Sequence, residues 1–360
     1  MPATFRIIDT GVREGRSNIA FDAALIEARQ ADHVPDTIRF MRFPPTALIG
    51  RHQDLSREID LEYCAANAIG TVRRITGGGA IYLDEGQLGW EIVFHRATLG
   101  IAALPELAQK ICSAAAAGLG ELGVKARFRP RNDIEVDGRK ISGTGGFYDG
   151  DVLIYQGTVL VDLDAERMVR ALRVPESKLA KRQLDSAAQR VVTLQELLGP
   201  GLPDMETVQR ALIKGFQDVL EIDAESGDIT AREEQLAKQF FDAEIGSDDF
   251  VAEIDDPAAE DDMLAGSHTG AGGTIDAFVK LEGPTRSVLQ RVLLSGDFFV
   301  TPPRIVFDLE AHLQGVRVDE VEPAIEQFFR DSAVDTLSVT PADFQASINA
   351  ALGPARSANV

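Results

Sequence analysis

Short apolar, β-branched runs alternate along this chain with longer stretches whose apolar residues recur at helical spacing. Phe5–Asp9 reads as a first strand, and the stripe Phe21, Leu25, Ala28 predicts a helix to about Gln30, capped by Ser17 or Asn18. Asp36–Phe43 reads as a strand that Pro44-Pro45 breaks, and Ala47-Leu48-Ile49-Gly50 begins another. Leu61–Ile69 predicts a helix stopped by Gly70, followed by strands at Thr71–Ile75 and Leu88–His95. Leu104–Leu122 is an alanine-rich helix with Pro105 in its first turn. Asn132–Val136 and Lys140–Ser142 flank Asp137-Gly138, which predicts a hairpin closed by a type I′ turn. Val152–Leu163 reads as a long strand and Ala165–Leu172 as a helix, and residues 184–241 are mostly helical by pattern around a loop at Gly199–Pro203.

From Asp242 to Asp262 acidic residues crowd together, Lys and Arg are absent, and Pro257 interrupts the run. That composition predicts a mobile connection, bounded here as residues 242–271. Beyond it, strands at Gly273–Leu281, Val288–Leu294 and one C-terminal segment mix with helices near Ile305–Leu313 and Val321–Phe329. The expected organisation is α+β: a mixed β-sheet with packed helices over residues 1–241, a small α+β domain over 272–352, and a disordered tail from 353 to 360.

With 57 acidic against 36 basic residues the net charge is −21. Nucleic acid and anionic membrane surfaces are therefore poor partners, because cations to neutralise phosphates are not in excess. The N-terminus has no apolar signal core and no 18-residue apolar run occurs, so the expectation is a cytoplasmic protein that spans no membrane. Cys64 and Cys112 both fall in alanine-rich helical contexts and read as buried free thiols rather than a disulfide or zinc site.

Two stretches carry candidate chemistry. Arg73-Arg74-Ile75-Thr76-Gly77-Gly78-Gly79-Ala80-Ile81-Tyr82 puts two guanidinium groups before three glycines, which admit positive φ and let backbone N–H groups approach an anion. A flexible turn gives the same pattern. On the hairpin, counting from the turn sets Glu135 opposite Lys140 and leaves Asp133 on the same side of the sheet. A lysine beside a carboxylate can serve nucleotide chemistry, the carboxylate holding Mg²⁺ and the lysine neutralising charge at phosphorus. It can equally be a solvated cross-strand ion pair.

Four blocks resemble the lipoate–protein ligase A family of the biotin/lipoate ligases. They are Ile49-Gly50-Arg51-His52-Gln53; the glycine stretch from Arg73 to Tyr82; Arg131-Asn132-Asp133-Ile134 with Gly138-Arg139-Lys140-Ile141-Ser142-Gly143; and Gln156-Gly157-Thr158-Val159-Leu160. Ser295–Phe299, Asp308-Leu309-Glu310 and Leu313-Gln314-Gly315 resemble the accessory domain of the same ligases. The resemblance implies that ATP activates lipoate as lipoyl-adenylate, and that the acyl group passes to a lysine of a lipoyl-domain acceptor protein. It implies a binding set of Arg74, Gly77, Gly78, Gly79, Ala80, Ile81, Tyr82, Asn132, Lys140, Ser142, Gly143, Gln156 and Thr158. Lys140 is the catalytic cation in that set and Asp133 the Mg²⁺ ligand.

The chain departs from the family at Thr76, where serine is usual, and at Leu83 and Gln156, where many members carry histidine. Related octanoyltransferases use a cysteine nucleophile, and neither Cys64 nor Cys112 matches such a position. An ATP-independent octanoyl or lipoyl transferase, and a sensor that binds lipoate or adenylate without turnover, stand as alternatives. Lipoate and octanoate are not distinguished by the sequence.

Overall fold

The computed structural model describes residues 2–101, 103–130, 132–173, 190–332, 335–336 and 339–358. They form two compact units: residues 1–48, 59–73 and 81–251, and residues 49–58, 74–80 and 252–360.

The first unit is built on a mixed eight-stranded sheet. Its strands are β1 (Thr4–Val12), β2 (Thr37–Arg42), β6 (Gln87–His95), β7 (Arg127–Arg129), β8 (Asp133–Val136), β9 (Arg139–Asp149), β10 (Val152–Leu160) and β11 (Asp223–Ser226), in the order β11-β1-β2-β6-β10-β9-β8-β7. The pairs β11–β1 and β1–β2 are parallel, and β2 onward is antiparallel. A second small sheet holds β3 (Thr46–Ile49) between β4 (Gly70–Arg73) and β5 (Ile81–Leu83). The sequence pattern misses β11, whose polar Asp-Ala-Glu-Ser has no apolar alternation and pairs only along an edge.

Helices cover both faces of the large sheet. The helix α1 (Gly15–Gln30) lies on one face and starts at a Glu14 cap, earlier than the Ser17 or Asn18 expected. Asn18 is instead buried inside the helix packing. On the other face lie α2 (Leu104–Glu121) and α3 (Met205–Leu220), where Trp90 meets Phe216 with ring centroids 5.3 Å apart. These two helices approach so closely that a Cβ on Gly215 would stand 2.3 Å from the Ala114 carbonyl oxygen. The helix α4 (Ala231–Phe240) opens with a Thr230–Glu233 capping box.

In the second unit β12 (Leu264–Gly270), β13 (Gly273–Glu282) and β14 (Val288–Gly296) form an antiparallel sheet. Short strands β15 (Val300–Thr301) and β16 (Asp335–Thr336) pair separately. Helices α5 (Ile305–Leu313), α6 (Val321–Asp331) and α7 (Pro341–Ala358) complete the unit. Its core includes Ile275, Ala277, Val279, Leu294, Phe298, Phe344 and Ile348.

Two boundaries differ from the sequence reading. The acidic stretch is ordered: Asp248–Val251 is helical, Pro257–Ala259 forms a 3₁₀ turn, and Leu264–Gly270 is a full strand. Phe250, Val251 and Ile254 are buried, and that apolar anchoring outweighs the acidic composition. Likewise α7 continues to Ala358 where a tail from residue 353 was expected, because buried Ile348, Ala351 and Leu352 carry the helix through. Arg131, residues 184–189 of the expected helical region, and residues 359–360 lie outside the described residues.

Candidate functional site

Asp137 and Gly138 both take positive φ, 50° and 83°, and close the β8–β9 hairpin as expected. Glu135 pairs with Lys140 across it, but one strand position later the register slips. Ile134 pairs with Ser142 and Asp133 with Gly143, so Ile141 is an extra residue, a β-bulge. The bulge sets Asp133 opposite a residue with no side chain. The Lys140 amine folds into that space: a Cβ on Gly143 would lie 2.7 Å from Nζ. Lys140 Nζ stands 2.8 Å from Asp133 Oδ1, with about a third of the lysine side chain exposed.

Arg129 binds the other oxygen of Asp133 and also reaches Glu135. Burial would raise the Asp133 pKa, but Lys140 and then Arg129 hold it below the ordinary carboxylate value. Asp133 is thus ionised and doubly paired. Sequence reading missed Arg129, although its position four residues before Asp133 is the available signal.

Strand alternation sorts the remaining candidates. Gly145 pairs with Gln156, and Gln156 with Glu91, so these share the face that carries Asp133 and Gly143. Thr158, two residues beyond Gln156 on β10, lies on that face as well. Ser142 does not: it lies with Thr144 on the opposite face, fully buried, its hydroxyl without a hydrogen-bond partner among the described residues. The bulge is what turns it over. Asn132 is taken up structurally, its Nδ2 donating to the Thr144 carbonyl while its own carbonyl accepts from the Thr144 hydroxyl at 2.8 Å.

The amide of Gln156 is committed inward. Its Nε2 donates to Asp22 Oδ2 and to Glu91 Oε2, both at 2.7 Å. Arg39 Nη1 contacts the second oxygen of each, 2.6 Å to Asp22 and 2.9 Å to Glu91, and Arg39, Asp22 and Glu91 are all buried. Arg39 in Thr-Ile-Arg-Phe-Met and Glu91 in Trp-Glu-Ile-Val-Phe are lone charges within buried strands, which is the sequence signal for this cluster.

The glycine stretch divides between the units. Ile81 and Tyr82 lie in β5 of the first, where Tyr82 is buried opposite Ala47, and Arg74 to Ala80 belong to the second. Arg73 and Arg74 do different work. Arg73 is buried, and its guanidinium donates to the carbonyls of Phe250 and Val251. Arg74 holds the loop itself, Nη2 donating to the carbonyls of Gly77 at 3.2 Å and Gly79 at 2.9 Å.

Within the second unit the glycines answer to Phe298 and Phe299. A Cβ on Gly77 would fall 2.3 Å from the Phe298 carbonyl oxygen, and one on Gly78 would fall 2.4 Å from the Phe299 ring. The Gly78 N–H donates to that same carbonyl at 3.0 Å and so is not open to an anion. Gly79 is exposed, with only an ordinary contact to Asp297 beyond it. The adjoining Arg51 pairs with Glu253 and lies over the Phe307 ring, while His52 stacks on Phe298.

Both cysteines are free and buried. Burial, then the Asp60 carboxylate, pushes the Cys64 thiol up to about 11. Burial also raises Cys112, whose sulfur lies 3.2 Å from the Thr144 hydroxyl on the face away from Lys140.

Residues 14–217 match the family described as the lipoyl protein ligase A/B catalytic domain, more than half of the chain. The chain belongs to the lipoyl protein ligase A/B family. Among curated relatives, an octanoyltransferase of Symbiobacterium thermophilum is 30% identical over 69% of this chain and 98% of its own length. A solved lipoate-protein ligase A bound with ATP aligns with 70% of this chain and 99% of its own, at 26% identity and a TM-score of 0.62. P. falciparum LipL1 in complex with lipoate covers 92% of this chain and 96% of its own, at 15% identity and a TM-score of 0.70. That last likeness, at 15% identity, shows the fold and extends over more of the chain than the ATP-bound ligase does. No described helix is long and apolar enough to cross a membrane.

Proposed function

We propose that this member of the lipoyl protein ligase A/B family is an ATP-dependent lipoate–protein ligase. It activates the acid as an acyl-adenylate with release of pyrophosphate, then passes the acyl group to a lysine of a lipoyl-domain protein. The observation that carries the reading is the state of the two cysteines. A transferase working through an acyl-enzyme needs an accessible thiolate. Cys64 and Cys112 are the only cysteines of the chain, and both are buried with their thiols pushed up. Lys140, by contrast, is half-buried, charged and paired on a hairpin, as direct attack of a carboxylate on ATP requires.

In that attack two anions meet, and negative charge grows on the α-phosphate. A lysine ammonium held by Asp133 over a side-chain-free Gly143 is preorganised to stabilise it. Among the described residues no cluster of three or more His, Cys, Asp or Glu is arranged to hold a metal. Mg²⁺ with nucleotide needs only one or two carboxylates, its remaining ligands being water and phosphate oxygens. The ionised Asp133 would hold the ion in place of Arg129, with Lys140 kept on its other oxygen, and the ion would supply positive charge that lowers the repulsion between the two anions. Arg74 and Gly79 are assigned to the nucleotide by the family resemblance alone.

The test is pyrophosphate release with purified protein, lipoate and ATP–Mg²⁺, followed by acyl transfer to an apo lipoyl domain. Transfer from octanoylated carrier protein without ATP, and no pyrophosphate, would establish the transferase instead. Binding with neither activity would establish the sensor.

A further inference from the structure

Behind the Asp133–Lys140 pair, on the face of the sheet turned away from the amine, polar side chains form one chain of hydrogen bonds. The Thr144 hydroxyl donates to the Asn132 carbonyl at 2.8 Å, and the Thr144 N–H donates to the same oxygen at 2.9 Å. Tyr155 Oη lies 2.8 Å from Thr144 Oγ1. The Cys112 sulfur, on α2, lies 3.2 Å from Thr144 Oγ1 and 3.5 Å from Tyr155 Oη. Chemistry fixes the directions. A carbonyl only accepts, so the Thr144 proton goes to Asn132, and the Tyr155 hydroxyl must in turn donate to Thr144. All three side chains are buried, and burial pushes both the phenol and the thiol up, so both keep their protons. In such a dry setting each bond of the chain polarises the next.

The chain ends where the hairpin register is decided. Between the pairs Glu135–Lys140 and Asn132–Thr144, one side of the hairpin holds Asp133 and Ile134, and the other holds Ile141, Ser142 and Gly143. A regular ladder counted from Glu135–Lys140 would bring Asn132 opposite Gly143, which has no hydroxyl to give its carbonyl. The bulged ladder gives that carbonyl both Thr144 donors, and Asn132 Nδ2 returns a bond to the Thr144 carbonyl. Asp133 is the next residue. The register that satisfies Asn132 is therefore the one that sets Asp133 opposite Gly143 and gives the Lys140 amine its place.

We propose that Thr144 and Tyr155 are positioning residues for adenylation. Tyr155 holds the Thr144 hydroxyl on the Asn132 carbonyl, and that clamp fixes the bulge on which the Asp133–Lys140 pair depends. The clamp stands on the hairpin geometry, while the step it serves rests on the ligase reading.

The experiment measures pyrophosphate release with lipoate and ATP–Mg²⁺ for Thr144→Val, Thr144→Ser and Tyr155→Phe, each in the wild-type and Lys140→Ala backgrounds. Thr144→Val keeps the shape and the N–H bond and loses the hydroxyl. Its kcat should fall about tenfold or more with the KM for lipoate within about twofold, the mark of misplaced chemistry rather than lost binding. Thr144→Ser should stay within about threefold of wild type, and Tyr155→Phe should fall between the two. In the Lys140→Ala background Thr144→Val should remove less than about a further threefold, because the amine it positions is gone. An equal loss in both backgrounds, which general loosening of the fold would give, would overturn the proposal. A second readout needs no turnover: acetylation of Lys140 by a small amine reagent, followed by mass spectrometry with exposed Lys125 as internal reference. Thr144→Val should raise the Lys140 rate about two- to fivefold against Lys125, the size of one partly exposed ion pair. An unchanged ratio overturns the clamp. If Thr144→Val does not fold, Tyr155→Phe carries both readouts. No pyrophosphate from wild type defeats the ligase reading, and the labelling ratio then decides for or against the clamp.

Discussion

Lys140 and Asp133 meet at 2.8 Å because one extra residue, Ile141, slips the hairpin register and brings Gly143 opposite the carboxylate. A regular ladder would put the Ser142 side chain there and leave the amine less room.

Lys140→Ala should lower pyrophosphate release with lipoate and ATP by about 10²–10³, the usual loss for one preorganised electrostatic contact. The side chain is partly exposed on a surface hairpin, so circular dichroism should be unchanged. Lys140→Arg should recover little, because a planar fork does not reproduce a compact ammonium. A folded alanine variant within about threefold of wild type would remove Lys140 from the chemistry.

Gly143→Ala separates placement of the amine from its presence. The new methyl would stand 2.7 Å from Lys140 Nζ, the far end of a flexible chain, so the lysine must swing aside. Activity should fall by about tenfold or more, while the melting temperature moves by only about 2 °C. Full activity would mean that the folded-over position of the amine is not the working one.

Gly77 and Gly79 should respond differently to alanine. At Gly77 the methyl meets the Phe298 carbonyl at 2.3 Å, a backbone atom that cannot turn away, and destabilisation of about 1–3 kcal/mol is expected. At Gly79 nothing lies closer than 3.8 Å, so stability should hold, and any loss should fall on the KM for ATP. Urea unfolding and ATP titration together read both; equal destabilisation at the two positions would contradict the packing described.

Glu310 supplies a pH test in the second unit. Burial raises its pKa to about 8, against the Leu294 N–H that donates to Oε1 and the nearby Arg291. In the unfolded chain it titrates near ~4.3, so its neutral form favours folding fully below that value. This contribution is lost progressively as pH rises to about 8. Glu310→Gln keeps the acceptor for Leu294 and removes the titration. Urea unfolding should find the variant more stable than wild type by roughly 1–3 kcal/mol near pH ~9, and equal to it near pH ~4. Parallel stabilities at both values would show that Glu310 ionises freely in place.

Much of this protein was legible locally. The Asp-Gly turn fixes the hairpin, because two adjacent positive φ values suit those residues, and pairing outward from it sets Glu135 opposite Lys140. The helix at Ile305–Leu313 and the long strands follow from period alone. Four motif blocks were enough to indicate the family. Whether Ile141 bulges, however, depends on neighbours that only the assembled sheet supplies, and with it whether Ser142 faces the ligand or the core. The acidic stretch was misread because composition reports solvation, whereas Phe250, Val251 and Ile254 find buried places that no local rule foresees. The triple glycine looked like three equivalent residues. Tertiary packing divides them, Gly77 and Gly78 against the Phe298–Phe299 segment and Gly79 in the open, because close approach comes from chain more than 200 residues away. Gln156 likewise acquires its orientation from Asp22 and Glu91, which are remote in sequence and become neighbours only when α1 packs on the sheet.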